Sequence, residues 1–327
     1  MMEVESHKNH SYSTFFLIVF PSFYDYRRII FIPVFILFIL AILLNSGIIF
    51  VITTGSGLHL PMYILICTMA VVDLTIPMTF TPKMLLSLLL DWNDISLVGC
   101  LVQMFFVHFV SSFESTILLV MAIDRYVAIC NPLRYNDYIN TSNFLKIAVF
   151  ALVRSTIFVF LIILFASSLT FCLSNVIEHC YCEHMVVVGL ACENTNRNNI
   201  MGLVAAFSIA GLDLLFILFS YGKIFFAVLR SASGKSKQKA ISTCGTHLIV
   251  ILMTYCMGLS SFLAYRFSNS VTSDFHNLIS VSYLLLPSCF NPIIYGVRTK
   301  EIREQILRKL GIGKKLPVSN RGQSSNT

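Results

Sequence analysis

The stretch Met121-Ala122-Ile123-Asp124-Arg125-Tyr126-Val127-Ala128-Ile129-Cys130-Asn131-Pro132-Leu133-Arg134-Tyr135 decides how this chain folds. It closes a mostly apolar run that begins near Leu97, and it sets an acid–base pair, and then Arg134, where that run ends. A helix needs about 20 mostly apolar residues to cross the hydrocarbon core of a bilayer, and this run is longer than that. Working outward in both directions, the same reading gives seven spans: Ile29–Thr53, Pro61–Leu89, Leu97–Ile129, Phe144–Phe171, Ile200–Leu229, Ala240–Tyr265 and Leu278–Val297. The third and fifth exceed the minimum, which implies tilt or extension beyond the bilayer. Phe15–Phe23 is apolar but too short to span; Glu3 and Glu5 precede it and no small-residue cleavage site follows, so it reads as an apolar extracellular segment and not a signal peptide.

Composition supports a membrane protein independently. Of 327 residues, 56% are hydrophobic and 12% charged, with mean hydropathy +0.79. Soluble domains carry about 25% charged residues, so a water-soluble fold of this size would lack the charge to cover its surface. Disordered, collagen-like and small disulfide-scaffold classes fall to the same arithmetic. The ten cysteines are too sparse for a secreted scaffold. The net charge of +7 records orientation; no basic stretch is interleaved with aromatics in the manner of a nucleic-acid groove, so no nucleic-acid partner is expected.

Lys and Arg near the span ends give the topology. One side collects Arg134, Lys146, Arg230, Lys235, Lys237, Lys239, Arg298, Lys300, Arg303, Arg308, Lys309, Lys314 and Lys315; the other holds Lys8, Arg27, Arg28, Arg197 and Arg266 among several acids. The richer side is cytoplasmic by the positive-inside rule, which puts the N terminus outside and the C terminus inside. On that topology Asn9-His10-Ser11 is an extracellular glycosylation sequon, whereas Asn140-Thr141-Ser142 is cytoplasmic and stays unmodified.

Seven helices with an external N terminus suit a transporter, a channel or a receptor, and the motifs separate these. The Asp124-Arg125-Tyr126 run and Asn291-Pro292-Ile293-Ile294-Tyr295 at the end of span seven together resemble the rhodopsin-like G-protein-coupled receptors. Leu58-His59-Leu60-Pro61-Met62-Tyr63, Thr81-Pro82-Lys83-Met84-Leu85, Lys239-Ala240-Ile241-Ser242-Thr243-Cys244-Gly245-Thr246-His247 and the cysteines at 172, 182 and 192 narrow the resemblance to the odorant receptors. The surroundings of Glu114, Ile123 and Gly245-Thr246 look closer to the class I, fish-like branch. The chain departs from the usual family pattern at Leu44 before Asn45 and at Ile123 before Asp124. The resemblance runs from about Asn45 to Glu301.

The fold this implies is an all-α, seven-transmembrane helix bundle with a short amphipathic C-terminal helix. Residues 1–28 form an extracellular tail, 29–298 the receptor domain, and 299–327 a cytoplasmic amphipathic helix, Glu301–Leu310, and a disordered tail. The resemblance assigns Cys100–Cys182 and Cys172–Cys192 as disulfides, leaving Cys180 unpaired. It makes Asp124, Arg125 and Tyr126 the G-protein-coupling end of span three, with Tyr221, His247, Asn291, Pro292 and Tyr295 as switch partners.

Ionisable groups inside a span are costly and are functional by default. Asp73 and Glu114 stand mid-span; two facing carboxylates at low dielectric do not both stay ionised unless a cation or donor joins them. The resemblance makes them ligands of a Na+ ion, and the alternative is a pair sharing one proton beside Asn45 and Asn291. In the extracellular half, His108, Ser111 and Ser112 lie along span three at helical spacing. The resemblance places His108 and Arg266 where class I receptors grip carboxylates, with Phe262, Tyr255 and His184 around them; Arg can hold a carboxylate bidentately with His as a further donor. Read bare, His179-Cys180-Tyr181-Cys182-Glu183-His184 also suggests a metal site, against which disulfides compete for the thiols in an oxidising compartment.

No phosphate loop, acid–base constellation or zinc motif supports catalysis. The resemblance implies a receptor for a small, partly polar odorant, a carboxylic acid among the candidates, that activates a stimulatory olfactory-type G protein and raises cAMP from the ciliary or plasma membrane. A related receptor for metabolites outside the nose would read identically, and a solute transporter would show a repeat between halves that this sequence lacks.

Overall fold

The computed structural model describes residues 11–55, 57–230, 234–266 and 272–311. Seven helices among them are long and apolar enough to cross a membrane. They are α1 (Arg27–Thr54), α2 (Pro61–Leu90), α3 (Leu97–Cys130), α4 (Thr141–Ser167), α5 (Asn196–Arg230), α6 (Gly234–Arg266) and α7 (Ser273–Arg298). An eighth, α8 (Lys300–Lys309), follows α7 after Thr299 alone. Outer and inner denote below the ends read from the charge distribution as extracellular and cytoplasmic.

Spanning segments are helical because a bilayer core offers no partner for a free backbone N–H or C=O. Hydroxyl groups are absorbed the same way, with Thr68, Thr75 and Thr156 each donating to the carbonyl four residues back. Pro33, Pro77, Pro82, Pro287 and Pro292 lie inside helices, where each removes one donor and invites a bend. Ser96, Asn140 and Thr272 cap α3, α4 and α7 by accepting from the backbone N–H three residues on. Asn140, the first residue of the inner sequon, is therefore a cap whose Oδ1 takes Asn143 N at 2.9 Å.

Every expected span appears, and most run a few residues longer than the apolar pattern alone indicates. One boundary differs in the other direction: α4 stops at Ser167, short of Phe171. Phe171 pairs instead with Ala191 in an antiparallel bridge next to the Cys172–Cys192 disulfide, so tertiary pairing overrides its apolar character.

α3 is the hub, packing against α2, α4, α5 and α6, while α7 packs on α1, α2 and α6. α5 contains a π-helical turn, Phe207–Gly211. The extra residue rotates the faces on either side by about 100° relative to one another, and Asp213 follows immediately.

The apolar segment ahead of α1 is structured. Thr14–Leu17 (β1) is the middle strand of a three-stranded sheet, antiparallel to Asp94–Ser96 (β2) and parallel to Val176–Ile177 (β3). Strand alternation sends Phe15 and Leu17 inward, where both are buried, and leaves Phe16 exposed. They join Cys100, Met104, Phe171, Ile177 and Cys182 in a separate outer core, with Phe15 edge-on to Phe171 at 5.4 Å. Pro21–Tyr26 then forms a 3-10 turn leading into α1.

Candidate functional site

At the inner end, Asp124 and Arg125 form an ion pair. Tyr135 donates to the other oxygen of Asp124 at 2.6 Å; burial and that carboxylate hold its phenol well above the ordinary range. Asp124 is buried, Arg125 partly so. Around them stand groups with little to hold: the Tyr221 hydroxyl and both His247 ring nitrogens are buried without a hydrogen-bond partner. His247 lies 5.6 Å from Tyr295, ring to ring, and the Tyr295 hydroxyl reaches only the Met121 sulfur, at 3.9 Å. Unpaired buried polar atoms are uncommon in native interiors and mark places where a rearrangement or a ligand supplies the bond. Tyr126 is partly buried.

Deeper in the bundle, Asp73 and Glu114 are buried, at 1% and 4% exposure. Asn291 Nδ2 donates to both Asp73 oxygens at 3.2 and 3.1 Å, Pro292 standing next to it in α7. Thr254 donates to Glu114 at 3.4 Å. Asn45 donates to Ala41 and Ser288 carbonyls, which leaves its Oδ1, like that of Asn291, buried and unpaired. The two carboxylates and two orphaned amide oxygens in this part of the bundle are all of the oxygen type that hard cations take.

A second buried ionic centre was not singled out from sequence. Arg154 of α4 grips Asp213 of α5 with two nitrogens, at 2.8 and 2.7 Å. Arg154 also donates to Thr116 at 2.5 Å, and Ser115 Oγ donates to Asp213 at 2.8 Å. Ser115 is in turn 2.8 Å from the Tyr255 hydroxyl. One network therefore ties α3, α4, α5 and α6. The signal that selects Asp73 and Glu114, an ionisable residue inside an apolar span, applies equally to Arg154 and Asp213.

In the outer half, the Cys100–Cys182 and Cys172–Cys192 disulfides form, and Cys180 is a free, buried thiol; burial holds that thiol well above its ordinary range. Gln103 of α3 accepts from Cys182 N at 2.9 Å, adding a polar tether beside the disulfide. His108 lies on α3 with its Nε2 buried and unpaired. Ser111, one turn further in, neighbours Tyr283. Ser112 turns elsewhere, its hydroxyl 2.7 Å from Ser155 of α4. His184 is buried at the start of a short lid helix, His184–Val188, against α5: a Cβ at Gly202 would come within 3.2 Å of its ring. Phe262 is partly buried in α6, and Arg266 is the last residue of that helix. The Arg266 side chain and Asn9 lie outside the described residues, so the structure brings His108, Ser111 and His184 to one end of the bundle without placing the guanidinium.

The His-Cys-rich stretch of the lid does not form a metal centre: among the described residues no group of three or more His, Cys, Asp or Glu could hold one. Cys182 is in a disulfide, and His179 makes a different structure. Its Nδ1 faces the Tyr181 carbonyl at 2.9 Å and so carries the proton. Its Nε2 then accepts, from Tyr265 of α6 at 2.5 Å and Ser280 of α7 at 3.1 Å. Burial pushes this imidazole down to about 4, so it is neutral at physiological pH. His179 is a latch between the lid, α6 and α7.

The architecture is that of a seven-helix membrane bundle: the crystal structure of squid rhodopsin matches with a TM-score of 0.71 over 90% of either chain, at 18% sequence identity. Sequence carries the assignment further. The family profile described as olfactory receptor matches residues 34–312. Olfactory receptor 52D1 of Homo sapiens is 42% identical over 307 residues, covering 94% of this chain and 96% of that one. Olfactory receptor 51E2 of Mus musculus is 40% identical over 299 residues, covering 91% and 93%. The chain belongs to the olfactory receptor family: it is a multi-pass membrane receptor that pairs a small-molecule ligand with a G protein, and it is not an enzyme.

Proposed function

We propose that this receptor detects small carboxylic acids at the outer half of the bundle and signals through a stimulatory, olfactory-type G protein to raise cAMP, with its N terminus outside and its site of action the ciliary membrane. The observation that carries the ligand class is His108, an imidazole set in an apolar helix with a buried nitrogen that no protein group satisfies. Arg266 ends α6 on the same side of the bundle and supplies the charge that a carboxylate needs. Arg and a neutral His donor together discriminate an acid from its ester or alcohol, because a buried polar group left unpaired by the wrong ligand costs more than a lost contact. Phe262, one turn before Arg266, limits the hydrocarbon length the pocket accepts.

Signalling follows from what the ligand joins. Drawing the outer end of α6 toward α3 displaces Tyr255 relative to Ser115, and a two-state bundle responds by the ligand's differential affinity for its states. At the inner end, release of Arg125 from Asp124 frees a cationic group for the G protein, with Tyr221, His247 and Tyr295 as the groups able to receive it. Basic residues of α8, including Arg303, Arg308 and Lys309, face lipid headgroups.

The same reading gives the Asp73–Glu114 centre a Na+ ion. Asp73 and Glu114 would supply carboxylate oxygens, and the orphaned Oδ1 atoms of Asn45 and Asn291 fit such a donor set. A bound cation would offset the repulsion between two buried carboxylates and favour the state that holds it.

The test is cAMP output from cells expressing the receptor and the olfactory-type G protein, across short acids and matched alcohols, amines and esters. Acids are expected to act alone. His108→Ala and Arg266→Ala are expected to raise the half-maximal acid concentration at least tenfold, about 1.4 kcal/mol, with surface expression unchanged. Equal potency in either variant, or activation by esters, overturns the carboxylate reading.

A further inference from the structure

We propose that a cavity apart from His108 and the rest of α3 binds a small organic ammonium ion. It lies between the lid and the outer ends of α6 and α7, has a volume of about 400 Å³, and no residue of α3 lines it. That volume falls within the roughly 300–1,000 Å³ range of small-molecule sites.

The chemistry of its walls selects the ligand. His179 contributes only a wall, because both of its ring nitrogens are already engaged with Tyr181, Tyr265 and Ser280. His276 is different. Its ring stacks on Tyr265 at 4.7 Å and 19°, the residue is 9% exposed, and its Nδ1 is buried with no hydrogen-bond partner. With Tyr265, His276 forms part of the cavity wall. At the mouth, the Glu178 carboxylate accepts one hydrogen bond, from Ser273 Oγ at 2.6 Å, which leaves further acceptor sites open. The described lining contains this carboxylate and no Lys or Arg, so it repels anions and draws a cation. An ammonium group donates to Glu178 and meets the aromatic Tyr265–His276 wall, a contact that cations favour. Met185, Val186 and Leu190 of the lid cover a compact hydrocarbon body.

This cavity and the acid site proposed above therefore select opposite charge, and the cavity's assignment stands whether or not the receptor takes acids. Because its walls come from the lid, α6 and α7, an occupant holds together the elements that the His179 latch already joins.

The experiment is ligand-observed saturation-transfer NMR on the purified full-length receptor in lipid nanodiscs, with cyclohexylamine as the probe and cyclohexanol and cyclohexanecarboxylate as matched arms. The amine is expected to give at least fivefold more transfer than the alcohol at equal concentration. Glu178→Gln is expected to cut the amine signal at least threefold, whereas His276→Phe, which keeps an aromatic ring on Tyr265, is expected to preserve it. His108→Ala is expected to leave it unchanged. Equal signals from amine and alcohol, or an undiminished amine signal in Glu178→Gln, overturn the ammonium assignment. Loss of the signal in His108→Ala places the amine beside His108 and overturns the cavity's assignment. If Glu178→Gln fails to fold, Leu190→Trp, which fills the cavity from its apolar side, decides: an amine signal that survives there overturns the proposal.

Discussion

Arg154 and Asp213 show what a single side chain does inside this bundle. Asp213 is 1% exposed and Arg154 12%, and the pair is bidentate, with Thr116 and Ser115 completing the oxygens. Removing one partner of a buried pair leaves an uncompensated charge, typically at a cost of about 3–5 kcal/mol, whereas replacing both by apolar groups is often close to neutral. Asp213→Leu is therefore expected to lower the apparent melting temperature of the purified receptor by several degrees. The double variant Arg154→Met with Asp213→Leu is expected to regain most of that loss, yet to signal less because Ser115 no longer links Asp213 to Tyr255. A double variant no more stable than the single one would show that the pair acts through packing. Each charge is legible in the sequence as an ionisable residue in an apolar run. Their partnership is not, since it joins two spans whose relative rotation depends on helix packing and on the π turn before Asp213.

At the scale of elements, the outer end depends on strand β1. Its alternation places Phe15 and Leu17 under the lid and Phe16 outside, and its two neighbours come from the loop after α2 and the loop before α5. Phe15→Ala is expected to destabilise the receptor by about 3 kcal/mol, the usual order for a buried phenylalanine in a packed core, and to reduce surface expression. Phe16→Ser, on the exposed face, is expected to change neither; thermal unfolding with a surface-antibody assay measures both, and equal effects would remove the strand from the core. The segment reads in sequence as too short to span and no more. Its pairing partners are two short loop stretches, and neither carries a strand signal that stands out from a turn.

Across the whole molecule, polar centres recur from the lid to the inner end: the His179 latch, the Arg154–Asp213 network with Tyr255 and, at the same depth on α3, the Asp73–Glu114 centre, and then the Asp124–Arg125 pair. A cation held at the third of these stabilises whichever global state binds it better. Basal cAMP output is expected to fall as external Na+ replaces N-methylglucamine, and Asp73→Asn is expected to flatten that dependence. An unaltered Na+ dependence in Asp73→Asn would leave the carboxylates as a pair sharing one proton.

The sequence by itself determined the class, the seven spans and the family, because hydrophobic length and contiguous motifs are local properties that a bilayer and a short chain segment read directly. Tertiary structure alone decided which buried polar groups meet. It showed that Ser112 faces Ser155 and that His179 latches α6 and α7 where the residue types alone suggest a metal cluster. It also paired Arg154 with Asp213, and it made a strand of the apolar tail. Those outcomes turn on rotations of whole helices and on loop pairings between residues far apart in the chain, and a shift of one residue in a helix swings a side chain by about 100°.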